Sequence, residues 1–238
     1  MGPCGNSGWE GAPPPSTGHA SETKQTRDDT EIREEGVRPM LALARADCGW
    51  YASHYCEENT VRLCAHLLDQ AECADVELFV VFVSNQARQV PVWHQRLADR
   101  RDEPVLWDYH VLLVAKHPHG NWIYDLDSTL AFPTEAAQYM TQAFRKGHRM
   151  EERFRQMFRV VQGRECVDHF SSDRSHMIER GGDYSAEPPR LVPLRGPQSS
   201  SDNNMDEWIS MDAATGRGRV LNLDEMEAFV EHAPHRYT

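Results

Sequence analysis

No run of about 18 apolar residues occurs in the 238-residue chain, so no membrane-spanning helix is expected. A basic segment followed by an apolar stretch is also missing from the start, MGPCGNSGWEGAPPPSTGHASETKQ, so no secretory signal is expected. Met1-Gly2 opens like an N-myristoylation site, but Asn6 stands where Ser or Thr is required. Positive charge is scarce: 25 Lys and Arg face 37 Asp and Glu, for a net charge of −12. A surface of that sign repels phosphates and anionic lipid, which excludes nucleic acid and membranes as main partners. The metal-ligand types in His54-x-Cys56, Cys64-x-His66 and His117-x-His119 lack the paired C-x2-C spacing of a structural zinc module. No metal and no organic cofactor is expected. There is no internal repeat. A cytoplasmic chain, with access to the nucleus, fits these absences.

Six cysteines remain, at positions 4, 48, 56, 64, 73 and 166. Without a secretory signal they are expected as reduced thiols, most of them small buried hydrophobes. Residues 1–40 are rich in Gly, Pro, Ser, Thr and charge, and read as a disordered extension. Residues 41–238 read as one catalytic domain, with a flexible insertion at 181–204 where Pro, Ser, Asp and Asn dominate.

Periodicity predicts the elements. In CEENTVRLCAHLL, Val61, Cys64, Ala65 and Leu68 recur at helical spacing, with Ser53 as a candidate cap. VELFVVFVS (76–84) reads as a buried strand, and QVPVW (89–93) as a short strand near an edge because of Pro91. VLWDYHVLLVAK (105–116) and NWIYDLD (121–127) read as a hairpin around HPHG. FRQMFRVV suggests a helix-to-strand transition, and NLDEMEAFVEH a helix with a capping box from Asn222 to Glu225. A helix, then sequential strands, then a helix predicts an α+β domain with a mainly antiparallel sheet flanked by helices.

The hairpin carries chemistry. If its turn centres between His117 and Pro118, His110 faces Asp125; if between Pro118 and His119, it faces Asp127. Either register puts both aspartates on the His110 face, and the directly opposed one at the separation of about 5 Å between paired Cβ atoms that a carboxylate–imidazole contact needs. Cys56 falls in the first turn of a helix, where free N–H groups and the helix dipole favour a thiolate, although Glu57 and Glu58 oppose it. A nucleophile and a base with an orienting carboxylate are therefore available. Cys64, on the apolar helix face, reads as core, and Cys48 and Cys73 as structural.

The blocks YCEEN, VPVW, WDYHVLL, IYDLDSTLAFP, FRVV and SSDRSHM, in this order, resemble the protein N-terminal glutamine amidohydrolase family. The resemblance spans about residues 47–180 and resumes at WISMD (208–212). It implies a papain- and transglutaminase-like Cys-His-Asp arrangement, with Cys56, His110 and Asp125 in the three roles. It also implies hydrolysis of the side-chain amide of an N-terminal glutamine to glutamate and ammonia through a cysteine thioester, in the N-degron pathway. The partners so implied are proteins or peptides with a free N-terminal glutamine, acted on by a monomer. A free α-ammonium calls for carboxylates, for which Glu57, Asp108 and Asp173 are candidates, while Trp107, Tyr109 and the SSDRSHM loop are candidate walls. Rival readings of the same residues are a transglutaminase-like acyltransferase, a cysteine peptidase, and an acidic binding module in which Cys56 is only packed.

Overall fold

The computed structural model describes residues 43–70, 75–145 and 149–232; the extension over 1–40 and Cys73 lie outside them. In chain order the elements are α1 (Cys56–Leu68), β1 (Glu77–Ser84), β2 (Val90–Val92), β3 (Val105–Trp107), β4 (His110–His117), β5 (Gly120–Tyr124), β6 (Thr134–Glu135) and α2 (Ala136–Ala143). They continue with β7 (Met157–Gln162), α3 (Gly163–His169), β8 (Ser171–Ser172), β9 (Leu194–Arg195), α4 (Met205–Ile209), β10 (Arg219–Leu221) and α5 (Leu223–Glu231). Among the described residues no helix is long and apolar enough to cross a membrane.

The main sheet runs β10-β7-β1-β4-β5-β6, and every neighbouring pair is antiparallel. The α+β expectation with a mainly antiparallel, helix-flanked sheet therefore holds. β1 and β4 lie at its centre and are covered on both faces, which explains why they read as unbroken β-branched and aromatic runs rather than as alternating ones. Leu78, Val80 and Phe82 join Val111 and Leu113 on one face, where α1, α3 and Trp208 of α4 pack. Val81 and Val83 join Leu112, Val114 and Ile123 on the other, under α2 and α5.

Sequence periodicity located α1 but misplaced its buried stripe. Leu63, Cys64 and Leu67 are buried, whereas Ala65 and Leu68 are only half-buried. The stripe is turned because α1 also packs against α3, which comes so close that a Cβ on Gly163 would stand 2.6 Å from Cys64 Sγ. Ser53 does not cap the helix. The N-cap is Tyr55, with no side-chain cap, and the Asn59 amide instead clasps both backbone groups of Ala52. At the other end of the chain the expected capping box is present, with Asn222 and Glu225 bonded reciprocally at the start of α5.

The run predicted as one strand over 105–116 is two. β3 pairs with β2 in a separate ribbon, which leaves Pro91 in an edge strand, and β4 pairs with β1. The break falls at Asp108, whose carbonyl accepts from Ser84 Oγ and whose carboxylate accepts from the Tyr109 N–H. The helix expected before FRVV is a single 3-10 turn over Glu152–Phe154. α2 and α3 have eight and seven residues, too short for the periodicity to register.

The segment read as an insertion at 181–204 is tied to α1 through buried Arg174. Its guanidinium grips both oxygens of Glu58, at 2.5 and 2.9 Å, and donates to the carbonyls of Pro189 and Leu191. Arg62 reaches Glu58 and the Val192 carbonyl from the same helix. Removing one partner of a buried ion pair strands the other charge, at a cost of about 3–5 kcal/mol. Arg174→Leu is therefore expected to lower the thermal midpoint by roughly 6–20 °C, and adding Glu58→Gln to restore part of the loss. A double-mutant cycle read by thermal denaturation checks this; strictly additive effects would show that the pair is not coupled.

Candidate active site

Cys56 opens α1 and His110 opens β4, and the packing of that helix on that strand brings the two starts together. Thr60 Oγ1 donates to the Val111 carbonyl at 3.1 Å, one turn along the helix from Cys56. Val111 is next in the chain to His110, so this bond ties the start of α1 to the start of β4. Just ahead of the thiol, His54 takes a left-handed conformation (φ 70°), which turns the chain into the helix.

The strand register left both Asp125 and Asp127 open as the partner of His110, and the block resemblance pointed to Asp125. Observed pairing runs from His117 with Gly120 to Leu113 with Tyr124, which is the register that would oppose His110 to Asp127. Yet Asp125 Oδ2 is the atom 3.1 Å from His110 Nε2. The reason is that β5 ends at Tyr124, and the chain then turns, with Ser128 N–H bonded back to the Asp125 carbonyl. Strand geometry stops applying at the residue where it was to decide. Asp127 lies beside the pair and accepts from the Tyr51 hydroxyl at 2.7 Å.

Burial sets the electrostatics. His110 and Asp125 are almost without solvent contact. Burial alone would raise the Asp125 pKa, but His110 and hydrogen bonds from Gln95 Nε2 (3.0 Å) and Tyr139 Oη (2.6 Å) hold it down at about 2. Its Oδ1 accepts from the Asp127 N–H. Burial would lower the His110 pKa, but Asp125, and then Asp127, outweigh it and raise it. Both ring nitrogens of His110 are buried and neither makes a well-aligned hydrogen bond; Nε2 has the Asp125 contact, Nδ1 has no partner, and Trp107 stacks on the ring at 5.2 Å. The Asp127 pKa is raised, by burial and by Asp125. Burial and then Glu57 push the Cys56 thiol well up, so a resting thiolate is disfavoured.

Among the described residues the one cluster of ligand types close enough for a metal ion is His110, Asp125 and Asp127. Their oxygens are largely engaged by protein donors: Gln95, Tyr139 and a backbone N–H on Asp125, and Tyr51 on Asp127. That arrangement suits an oriented imidazole better than an open coordination shell.

A cleft of about 490 Å³ opens over the thiol, lined by Cys56, Trp107, Asp108, Tyr109 and His176 together with His54, Arg88 and Met177. Of the substrate-binding candidates, Trp107, Asp108 and Tyr109 lie on its wall. Glu57 does not: it is fully buried, with Oε2 accepting from Tyr109 Oη at 3.1 Å. Asp173 is not on the wall either, and accepts from Ser175 N–H and Asn203. Sequence reasoning missed Gln95, Tyr139 and Tyr51, which lie in no recognisable motif, and did not single out His176 within SSDRSHM.

The family model described as N-terminal glutamine amidase matches residues 51–230. The protein N-terminal glutamine amidohydrolase of Danio rerio is 38% identical over 183 residues, covering 76% of this chain and 88% of that protein. The Homo sapiens protein of the same name is 38% identical over 176 residues (74% of this chain, 84% of that one). That of Arabidopsis thaliana is 39% identical over 171 residues (69% and 76%).

Glu57 offers a test that needs no substrate. Burial pushes its pKa up to about 8 from 4.5. Between those values the unfolded chain releases a proton that the folded chain keeps, so this group's contribution falls as pH rises, by at most about 1.4 kcal/mol per unit. Glu57→Gln cannot titrate. Its thermal midpoint is expected to gain on the parent's by several degrees between pH 5 and pH 8, and a constant difference across that range would show that Glu57 is ionised in the fold.

Proposed function

The chain belongs to the N-terminal glutamine amidase family, and from that premise we propose that it hydrolyses the side-chain amide of an N-terminal glutamine through a Cys56-His110-Asp125 triad. The observation that carries the reading is the buried His110–Asp125 contact beside the thiol that opens α1, with Nδ1 of the imidazole left free. Papain-like and transglutaminase-like enzymes combine the same three residue types.

The chemistry follows from the electrostatics. Because the thiol is hard to ionise and His110 is a strengthened base, the proton moves from sulfur to Nδ1 as the sulfur attacks the amide carbon. The N–H groups of the first turn of α1 stabilise the oxyanion. The tetrahedral intermediate expels the amide nitrogen, which takes the proton from His110 and leaves as ammonia. Water then attacks the γ-glutamyl thioester while His110 takes its proton; the carbon–sulfur bond breaks, the sulfur recovers a proton, and glutamate is released. Asp125 holds Nε2 throughout and stabilises the transient imidazolium. Asp108 on the cleft wall supplies negative charge suited to an α-ammonium, Glu57 behind it ionises once an ammonium is adjacent, and Trp107 and Tyr109 wall the cleft.

Four outcomes test the reading. Purified protein is expected to release ammonia from peptides with N-terminal Gln, adding about one dalton at residue 1. N-acetyl-Gln peptides leave the ammonium-binding groups unpaired, at a cost of about 1–3 kcal/mol, and should react at least tenfold more slowly. N-terminal Asn stops one methylene short of the sulfur and should be slower by roughly 10²-fold. Cys56→Ala should abolish turnover while the protein stays folded. Cleaved peptides would indicate a peptidase, and cross-linked products an acyltransferase.

Asp125→Asn is expected to cost far more activity than Asp127→Asn, up to about 10⁴-fold by analogy with triads in which the orienting carboxylate is lost. Steady-state rates of both variants decide it. Equal, small effects would remove Asp125 from the mechanism.

A further inference from the structure

One group of side chains beside the thiol is not used by the triad. Tyr109 Oη donates to Glu57 Oε2 at 3.1 Å and lies 3.1 Å from His176 Nε2. His176 Nε2 is also 3.6 Å from Glu57 Oε1, too far for a hydrogen bond, and that oxygen is buried with no donor at all. Glu57 Oε2 is 3.8 Å from Cys56 Sγ, so the group adjoins the nucleophile. A carboxyl fully out of water with one oxygen unsatisfied is costly unless something cationic completes it.

We infer that Tyr109 and His176 form the subsite that reads the substrate's free α-ammonium, with Glu57 behind them as the positioning carboxylate that supplies the balancing charge. This inference rests on the deamidation reading above. Tyr109 and His176 line the cleft and Glu57 does not, so the ammonium meets the hydroxyl and the imidazole first. Tyr109 Oη accepts from the ammonium while it goes on donating its own proton to Glu57 Oε2. His176 Nε2, as a neutral imidazole, accepts a second N–H. In the empty cleft the neutral His176 carries its proton on Nε2 and donates it to Tyr109 Oη; on binding it takes the Nδ1–H tautomer, which frees both Nε2 and the Oη lone pair for the ammonium. The dimensions agree: four bonds, about 5 Å, separate the α-nitrogen of glutamine from its amide carbon, and the Glu57 carboxylate is one such span or less from the sulfur. Burial keeps the free Glu57 protonated toward pH 8, and an adjacent ammonium would favour its ionised form.

The test compares a Gln-peptide with the same peptide in which hydrogen replaces the α-amine, using the full chain and variants Tyr109→Phe and His176→Gln. His176 sits in a loop with its side chain partly exposed, so its replacement should leave the fold intact, which circular dichroism verifies. The parent is expected to prefer the Gln-peptide by 100-fold or more in kcat/KM. Each variant should cut that preference at least tenfold, mainly through a higher KM for the Gln-peptide. Equal losses on both peptides, or a fall in kcat with KM and preference unchanged, would overturn the inference and leave deamidation standing. If the parent releases no ammonia from either peptide, the functional reading itself fails. Should Tyr109→Phe unfold, the preference measured for His176→Gln decides alone.

Discussion

A carboxylate held ionised in a water-free interior is the constraint around which this molecule is organised. Asp125 has almost no solvent contact, yet its pKa is held near 2. An ion so placed is tolerable only if its lone pairs are met by donors. The fold draws them from distant parts of the chain: Tyr139 from α2, Gln95 from the turn after β2, the Asp127 N–H from its own loop, and His110 from the central sheet. Arg45 closes the far side by donating to the Asp125 and Leu130 carbonyls. The layers of helix over sheet can thus be read as the means of delivering donors to one point, and the orientation of His110 is a consequence of that delivery.

The Cys56 thiol is placed by a separate set of contacts. Cys56 is fixed by α1, and α1 is fixed by Thr60 on Val111, by its close approach to Gly163, and by Glu58 in the Arg174 grip. Base and thiol therefore belong to different packing units that meet at the start of β4. The blocks that resemble the amidohydrolase family map onto both units, and onto their support. Arg159 of FRVV is buried and donates to the carbonyls of Ser210 and Asp212 in WISMD, so two blocks far apart in sequence form one joint.

Elements with long regular runs were legible in the sequence: α1, β1, β4 and α5 lie where periodicity puts them. What was not legible depended on where regular geometry stops. The break at Asp108 splits a run whose residues all favour strand, because two different partners, β1 and β2, compete for it. The choice between Asp125 and Asp127 turned on the end of β5, one residue before the decisive one. Side-chain alternation had narrowed the site to these two residues, and the block resemblance singled out Asp125. Gln95, Tyr139 and Tyr51 were invisible for another reason: they become partners of the aspartates only through long-range packing, and nothing local marks them.

The split at Asp108 also bears on how readily this site could be re-engineered. Cleft wall and imidazole share one short piece of chain, Trp107 to His110, and Trp107 stacks on the ring that it adjoins in the fold. A substitution there reshapes the pocket and tilts the base together. Another rim, with His176, Met177 and Ser185, reaches the cleft from a loop that carries none of Cys56, His110 and Asp125. Selectivity for a different terminal residue is therefore more evolvable from that rim than from the aromatic wall, where each gain in fit would be coupled to a loss of alignment.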